Sequence, residues 1–252
     1  MIDLTPLMRL GLLLVRPGAL IVGAPAFGGV FAPAPVKIGL TLLVAIALLP
    51  STSIPPAGAS IALAGVIARE LAIGLALALS IRTLVASAEL AGQLVGFQMG
   101  LSYSAIVDPQ SGVRNELIAA LYANIAMVMF FLVNAHHTLL RALRDSYDSL
   151  PIGAGQVAGS IPQDVVGLLG LVFLLGARLA APLVIVLVVT ELGLALVARS
   201  APALNLMVVG APVRIIVGLI LLGLVAPGAA GVLAGAARGT VQAGVHVAGA
   251  FR

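Results

Sequence analysis

There is no cysteine among these 252 residues. That absence removes disulfides and thiolate metal sites and leaves the redox compartment open. Charge is nearly as scarce. Asp, Glu, Lys and Arg make up 9% of the chain, where soluble domains carry about a quarter, and mean hydropathy is +1.21. Such a composition excludes an ordinary soluble globular protein and points to a polytopic chain that inserts in a membrane. The length accommodates about five to seven hydrophobic helices at roughly 20 residues per span, so one domain over residues 1–252 is expected. The net charge of +4 does not argue for nucleic acid, because the basic residues stand singly at segment ends instead of forming a patch. Catalytic signatures are missing too: the chain has no Walker motif, no GxSxG and no dinucleotide fingerprint. His136 and His137 are adjacent and diverge, a poor geometry for chelating one metal, and His246 stands alone near the end. The pair is expected to cap or line the end of a helix over 116–141. Neither an enzyme nor a metal or cofactor site is expected.

What the chain does contain is long apolar runs separated by breakers. The amino terminus imitates a signal peptide, with Arg9 before an apolar stretch and Ala24-Pro25-Ala26 resembling a cleavage site. Arg16-Pro17 spoils the apolar region such a peptide needs, and residues 1–31 are read as mature structure. Hydrophobic helices are predicted over about 5–30, 36–50, 60–100 with an interruption, 116–141, 164–198, 204–226 and 229–249. Pro35-Val36-Lys37-Ile38 opens a run closed by Pro50, and Pro212-Val213-Arg214-Ile215 opens one closed by Pro227, a weak internal resemblance. From Ile38 to Leu49 is about 18 Å of helix, short of a hydrocarbon core of roughly 30 Å. Either these runs are proline-kinked spans, or they are half-length helices in hairpins buried against other protein.

Charges within the apolar segments raise the same question of partners. Arg69 and Glu70 are adjacent, about 100° apart on a helix, so each needs a partner elsewhere. Glu89, Arg178 and Glu191 pose the problem nearer to interfaces, where long side chains can snorkel. Structural ion pairs, contacts with another subunit and a proton or ion relay are the alternatives. Glycines recur every fourth residue at Gly92, Gly96 and Gly100 and again at Gly231, Gly235 and Gly239, a spacing that lets helix backbones approach closely. Gly92 and Gly96 are the expected packing positions.

The stretch GFQMGLSYSAIVDPQSG, residues 96–112, interrupts this apolar chain with small polar residues. Gly92 to Gly100 reads as the end of a packed helix. Asp108-Pro109-Gln110-Ser111-Gly112 reads as a turn in which Pro109 disfavours helix at Asp108, and Asn115 with Glu116 suits the start of the next helix. The segment is a loop between helices. It is either a plain connection or a loop lying in a pore that yields when something passes.

Here the sequence resembles the FliR subunits of the flagellar export apparatus, which are related to the SctT subunits of virulence type III secretion. The likeness runs through Arg16-Pro17, Ala24-Pro25-Ala26-Phe27, Pro33 to Pro50, Arg69-Glu70, Gly74, and Ala91-Gly92-Gln93 into residues 96–112. It continues through Phe130-Phe131, Ser146-Tyr147, Leu150-Pro151 and Glu191 to Arg199. It departs at Pro202-Ala203-Leu204-Asn205-Leu206-Met207, where flagellar members commonly read Pro-Gln-x-Asn-Val-Phe. The resemblance implies an all-α, polytopic membrane-associated protein of kinked, proline-broken helical hairpins, and a structural and gating subunit of the export gate. That gate assembles with FliP and FliQ, is contacted by FlhB and served by FlhA, and passes unfolded flagellar substrates across the bacterial inner membrane at the basal body. Parts of it would stand above the membrane plane and others would meet lipid. The resemblance assigns a pore plug to Gly100, Leu101, Ser102, Tyr103, Ser104, Ala105, Ile106, Val107, Asp108, Pro109, Gln110, Ser111 and Gly112. Of the charges set in apolar segments, Arg69, Glu70, Glu89, Arg178 and Glu191 are expected, from the residues alone, at partner contacts. The alternative is a small-solute secondary transporter with its site at broken helices. Arg141 and Arg144 are balanced by Lys37, Arg199 and Arg214, which leaves membrane topology open.

Overall fold

A computed structural model of the chain describes residues 5–28, 32–49, 60–101, 117–152, 161–200, 206–249 and 251. Among them every regular element is a helix: α1 (Thr5–Gly23), α2 (Pro25–Gly28), α3 (Ala34–Leu48), α4 (Ser60–Gln98), α5 (Leu117–Leu132), α6 (Ala135–Ser149), α7 (Ile161–Ser200) and α8 (Leu206–Gly249). Three contain stretches long and apolar enough to cross a membrane, Leu63–Gln98, Gln163–Ser200 and Gly210–Gly249, and the bent pair α5–α6 adds a fourth if it is one broken span. The chain is thus an all-α polytopic membrane protein, and among the described residues its candidate membrane-crossing helices, three or four, are fewer and longer than the five to seven expected. At 1.5 Å per residue, α4, α7 and α8 run to about 60 Å or more, roughly twice a hydrocarbon core.

The difference lies in what the breakers do. Helix α4 is continuous, without the expected interruption, and α8 passes through both Pro212 and Pro227. A proline removes one hydrogen bond and bends a helix, but the helix survives where neighbouring protein or local adjustment satisfies the freed carbonyl. The 204–226 and 229–249 segments are therefore one helix, and the second proline-bounded run is not a half-length helix. The first is a separate 15-residue element, α3. It packs on α1, where a Cβ at Gly18 would meet the Thr41 methyl at 3.5 Å, while Val36, Leu43 and Ile46 stay exposed. A helix of about 22 Å with an open apolar side needs lipid or another chain to cover it. The likeness between the two runs does not extend to their structure.

The predicted 116–141 helix breaks in the other direction. Asn134 takes the left-handed conformation at φ 56°, which asparagine tolerates better than most residues, and α5 and α6 diverge by 67°. Consequently His136 and His137 open α6 instead of ending a long helix. Their rings lie 4.2 Å apart, tilted onto one another.

The described chain divides into two compact units, one of residues 1–83, 131–169 and 237–252, the other of residues 84–130 and 170–236. Each of the three long helices contributes a portion to both.

Candidate functional site

In the first unit, the chemistry starts at Pro17. Lacking an N–H, it leaves the carbonyl of Leu13 without its helical donor, and the Tyr147 hydroxyl donates to that oxygen at 3.1 Å. The preceding residue, Arg16, is completely buried. Its Nε donates to Glu70 Oε2 at 2.8 Å, Nη1 to Ser146 Oγ at 2.8 Å and Nη2 to the Leu150 carbonyl at 2.9 Å. The guanidinium also lies 4.1 Å from the centre of the Tyr147 ring, a favourable cation–π placement. Glycine makes the approach feasible. A Cβ at Gly74, one turn beyond Glu70, would collide with the Arg16 carbonyl and come within 2.7 Å of Ala19 Cβ, and one at Gly23 would stand 2.7 Å from Ala78 Cβ. The contacts ascend together along α1 and α4, so the helices run parallel, and Arg82 Nε caps the Gly23 carbonyl at 2.7 Å.

Glu70 therefore finds its counter-ion inside the chain. It is fully buried in the ion pair with Arg16, the structural ion pair that was one of the alternatives for it. Arg69 is only 8% exposed, and its Nε, Nη1 and Nη2 have no hydrogen-bond partner among the described residues. The divergence of adjacent helical positions accounts for the different fates of these neighbours.

The second unit holds the end of α4. A Cβ at Gly92 would run into Ala119 Cα and lie 2.6 Å from the Ile118 carbonyl, so α4 and α5 cross there backbone to backbone. Gly96 makes ordinary contact with Ile118, whereas Gly231, Gly235 and Gly239 face open space. Helix α4 then closes on a glycine cap. Gly100 has φ +81°, its N–H donates to the Phe97 carbonyl at 3.0 Å, and the Leu101 N–H donates to Gly96 at 3.1 Å, the paired bonds of a Schellman motif. Met99 is completely buried against Gly218, where a Cβ would stand 2.7–2.8 Å from its Cγ, Sδ and Cε. Gln98 Nε2 donates to Glu191 Oε2 at 3.1 Å, and Glu191 Oε1 accepts from Arg214 Nη1 at 3.3 Å. Residues 98 and 99 are thus both held just before the chain enters the polar segment. Of the predicted plug, Gly100 and Leu101 belong to this cap, while residues 102–112 lie outside the described residues. Glu89 and Arg178 are on exposed helix surface, and Glu191 is half exposed within its ion pair.

A family model described as bacterial export proteins, family 1, matches residues 7–239. The chain belongs to the FliR family of bacterial export proteins. It is 32% identical over 216 residues to the flagellar biosynthetic protein FliR of Escherichia coli (strain K12), an alignment covering 85% of this chain and 82% of that protein. FliR of Bacillus subtilis (strain 168) is 31% identical over 229 residues, 88% of this chain and 86% of that one. The Caulobacter vibrioides FliR is 27% identical over 216 residues, covering 84% and 86%.

The family's likeness in sequence and the buried network meet in the same residues: Arg16-Pro17, Glu70, Gly74, Ser146-Tyr147 and Leu150. Arg16 is the side chain whose role sequence reasoning missed: it entered as a spoiler of a signal peptide and as part of the family likeness, never as the partner of Glu70. Its partners are 54, 130 and 134 residues away. The available signal was a surplus: Glu70 lacked a cation on its own face of the helix, Arg69 lying about 100° away, and Arg16 was another charge set in an apolar run.

Proposed function

We propose that this chain is a structural and gating subunit of the flagellar type III protein export gate. In this reading it assembles with FliP and FliQ into the pore through which unfolded flagellar proteins cross the inner membrane, contacted by FlhB and served by FlhA within the basal body. The observation that carries the proposal is the family match over residues 7–239. Helices about twice as long as a bilayer core, and a half-length α3 with an apolar side left open, support a chain designed to pack against other chains, part of it beyond the membrane plane.

The gating role belongs to Gly100–Gly112. A pore wide enough for a polypeptide leaks ions unless it is occluded, and a potential of 100 mV drives each unit charge with about 2.3 kcal/mol. Small uncharged residues such as Ser102, Ser104 and Ala105 seal closely and rearrange cheaply, whereas ionised ones buried unpaired cost several kcal/mol. The anchored cap at Gln98–Leu101 gives the segment a fixed point of departure. The test is to delete Ser102–Ile106, or to replace Ser104 and Ala105 with Asp, in cells producing the whole gate. Assembly should persist while small-ion permeability rises and growth slows, and matching changes in Gly153–Gly159 should not leak. An intact barrier in assembled, loop-deleted complexes would overturn the plug. Co-purification separates the gate from a small-solute transporter: a gate subunit brings other small membrane proteins with it, while a transporter stands alone and binds a solute.

A further inference from the structure

The buried cluster around Arg16 does not balance its charge. Arg16 and Glu70 cancel, and all three guanidinium nitrogens of Arg16 are engaged within the chain. Arg69 adds a second cation that is 8% exposed, with no acceptor among the described residues at any of its three nitrogens. A guanidinium stays protonated in proteins, so it cannot relieve its burial by losing a proton, and an unpaired buried charge is strongly disfavoured. The free Oε1 of Glu70 does not solve this. It belongs to the adjacent helical position, about 100° around the axis, and its carboxylate charge is already matched by Arg16. Among the described residues no second anion answers Arg69.

The surface beside Arg69 indicates what delivers it. Gly65 and Ala72, at i−4 and i+3, share its side of α4. Gly65 and Ala68 are exposed, Ala72 is half-buried, and a Cβ at Gly65 would meet nothing within 4 Å. The three Arg69 nitrogens are buried within the chain, so the guanidinium reaches that open side only by swinging out on its long stem. Small residues admit a second helix at close range. We propose that Arg69 receives an aspartate or glutamate carboxylate from an apolar helix of another chain, seated along Gly65, Ala68 and Ala72. The long arginine stem swings out to meet it, and the planar fork matches a carboxylate bidentately. This inference rests on the chain being one subunit of an assembly.

The experiment places a photo-crosslinking amino acid at Ala68 in the full chain within cells that make the whole apparatus, and identifies the captured peptide by mass spectrometry. It should come from an apolar segment with an Asp or Glu within one helical turn of the crosslink. Arg69→Leu should then have opposite effects on two readouts. Recovery of that partner should fall at least tenfold, while the chain expressed alone should stay monodisperse in detergent in a larger fraction, having lost an uncompensated charge. Exchanging the charges, Arg69→Glu here and the captured acid to Arg, should restore recovery. Partner recovery within twofold of wild type in Arg69→Leu overturns the inference and leaves the export-gate reading standing. So does a parallel loss in both readouts, which marks a merely structural role, and so does capture of phospholipid alone, with less co-purified anionic lipid in Arg69→Leu. If no chain accompanies even the wild type, both readings fall.

Discussion

Two carboxylates inside apolar helices, Glu70 and Glu191, are each paired with an arginine, but in opposite surroundings. Glu70 and Arg16 are both fully buried at 2.8 Å, whereas Glu191 and Arg214 are 50% and 28% exposed at 3.3 Å. In the first pair the cation also holds a serine hydroxyl and a backbone carbonyl, so helix α1 is tied to α4, to α6 and to the chain just after α6. In the second the anion bridges only Gln98 and Arg214, next to the cap that opens the polar segment. Coulomb attraction grows as water is excluded, and so does the penalty for leaving one partner alone. The comparison separates a contact that maintains the fold from one able to open and close.

Breaking the buried pair has the largest expected effect. Glu70→Ala leaves Arg16 buried without its counter-ion and should lower stability by about 3–5 kcal/mol, read as loss of membrane-inserted, protease-resistant chain together with loss of assembled complex and motility. Normal assembly with motility lost would favour a proton or ion relay instead. Gly92→Val is next. The intruding methyls meet the Ile118 carbonyl, which cannot swing aside, and overpacking of this kind costs about 1–3 kcal/mol, seen as a lower thermal midpoint in detergent. Gly231→Val, facing open space, should not share that loss.

Tyr147→Phe sharpens the picture of the buried side at a slightly smaller scale. It strands the Leu13 carbonyl that Pro17 already deprives of a helical donor, a penalty of about 1–3 kcal/mol, again read in thermal unfolding. Glu191→Gln should have the smallest effect, about 1 kcal/mol or less, declining further as salt is raised. A salt-independent loss comparable to that of Glu70→Ala would erase the distinction between the two pairs.

Much of this architecture was legible in the sequence, and the parts that were not share a cause. Apolar runs located the described helices other than α6, an amphipathic element that the predicted 116–141 helix covers only in part, and the glycine spacing marked Gly92 as a close approach and Gly100 as the end of α4, because these are local properties. Local rules failed where tertiary context decides. Pro227 reads as a stop, yet α8 runs on through it. Asn134 reads as unremarkable within an apolar helix, yet its left-handed backbone turns α5 from α6. The Gly231 to Gly239 row has the spacing of a packing face but nothing packed on it within the chain. Residue 70 clearly needed a cation. Which one could not be read from a single sequence, since Arg16 reaches it only after the chain has folded.

A double-mutant cycle run on both pairs in the same detergent-solubilised complex tests the central distinction most directly. Arg16→Met, Glu70→Leu and their combination should yield a coupling of about 3 kcal/mol or more, each single change leaving its buried partner without a counter-charge. Arg214→Met, Glu191→Leu and their combination should couple by about 1 kcal/mol or less. Equal couplings, or a larger one at the exposed pair, would contradict the account.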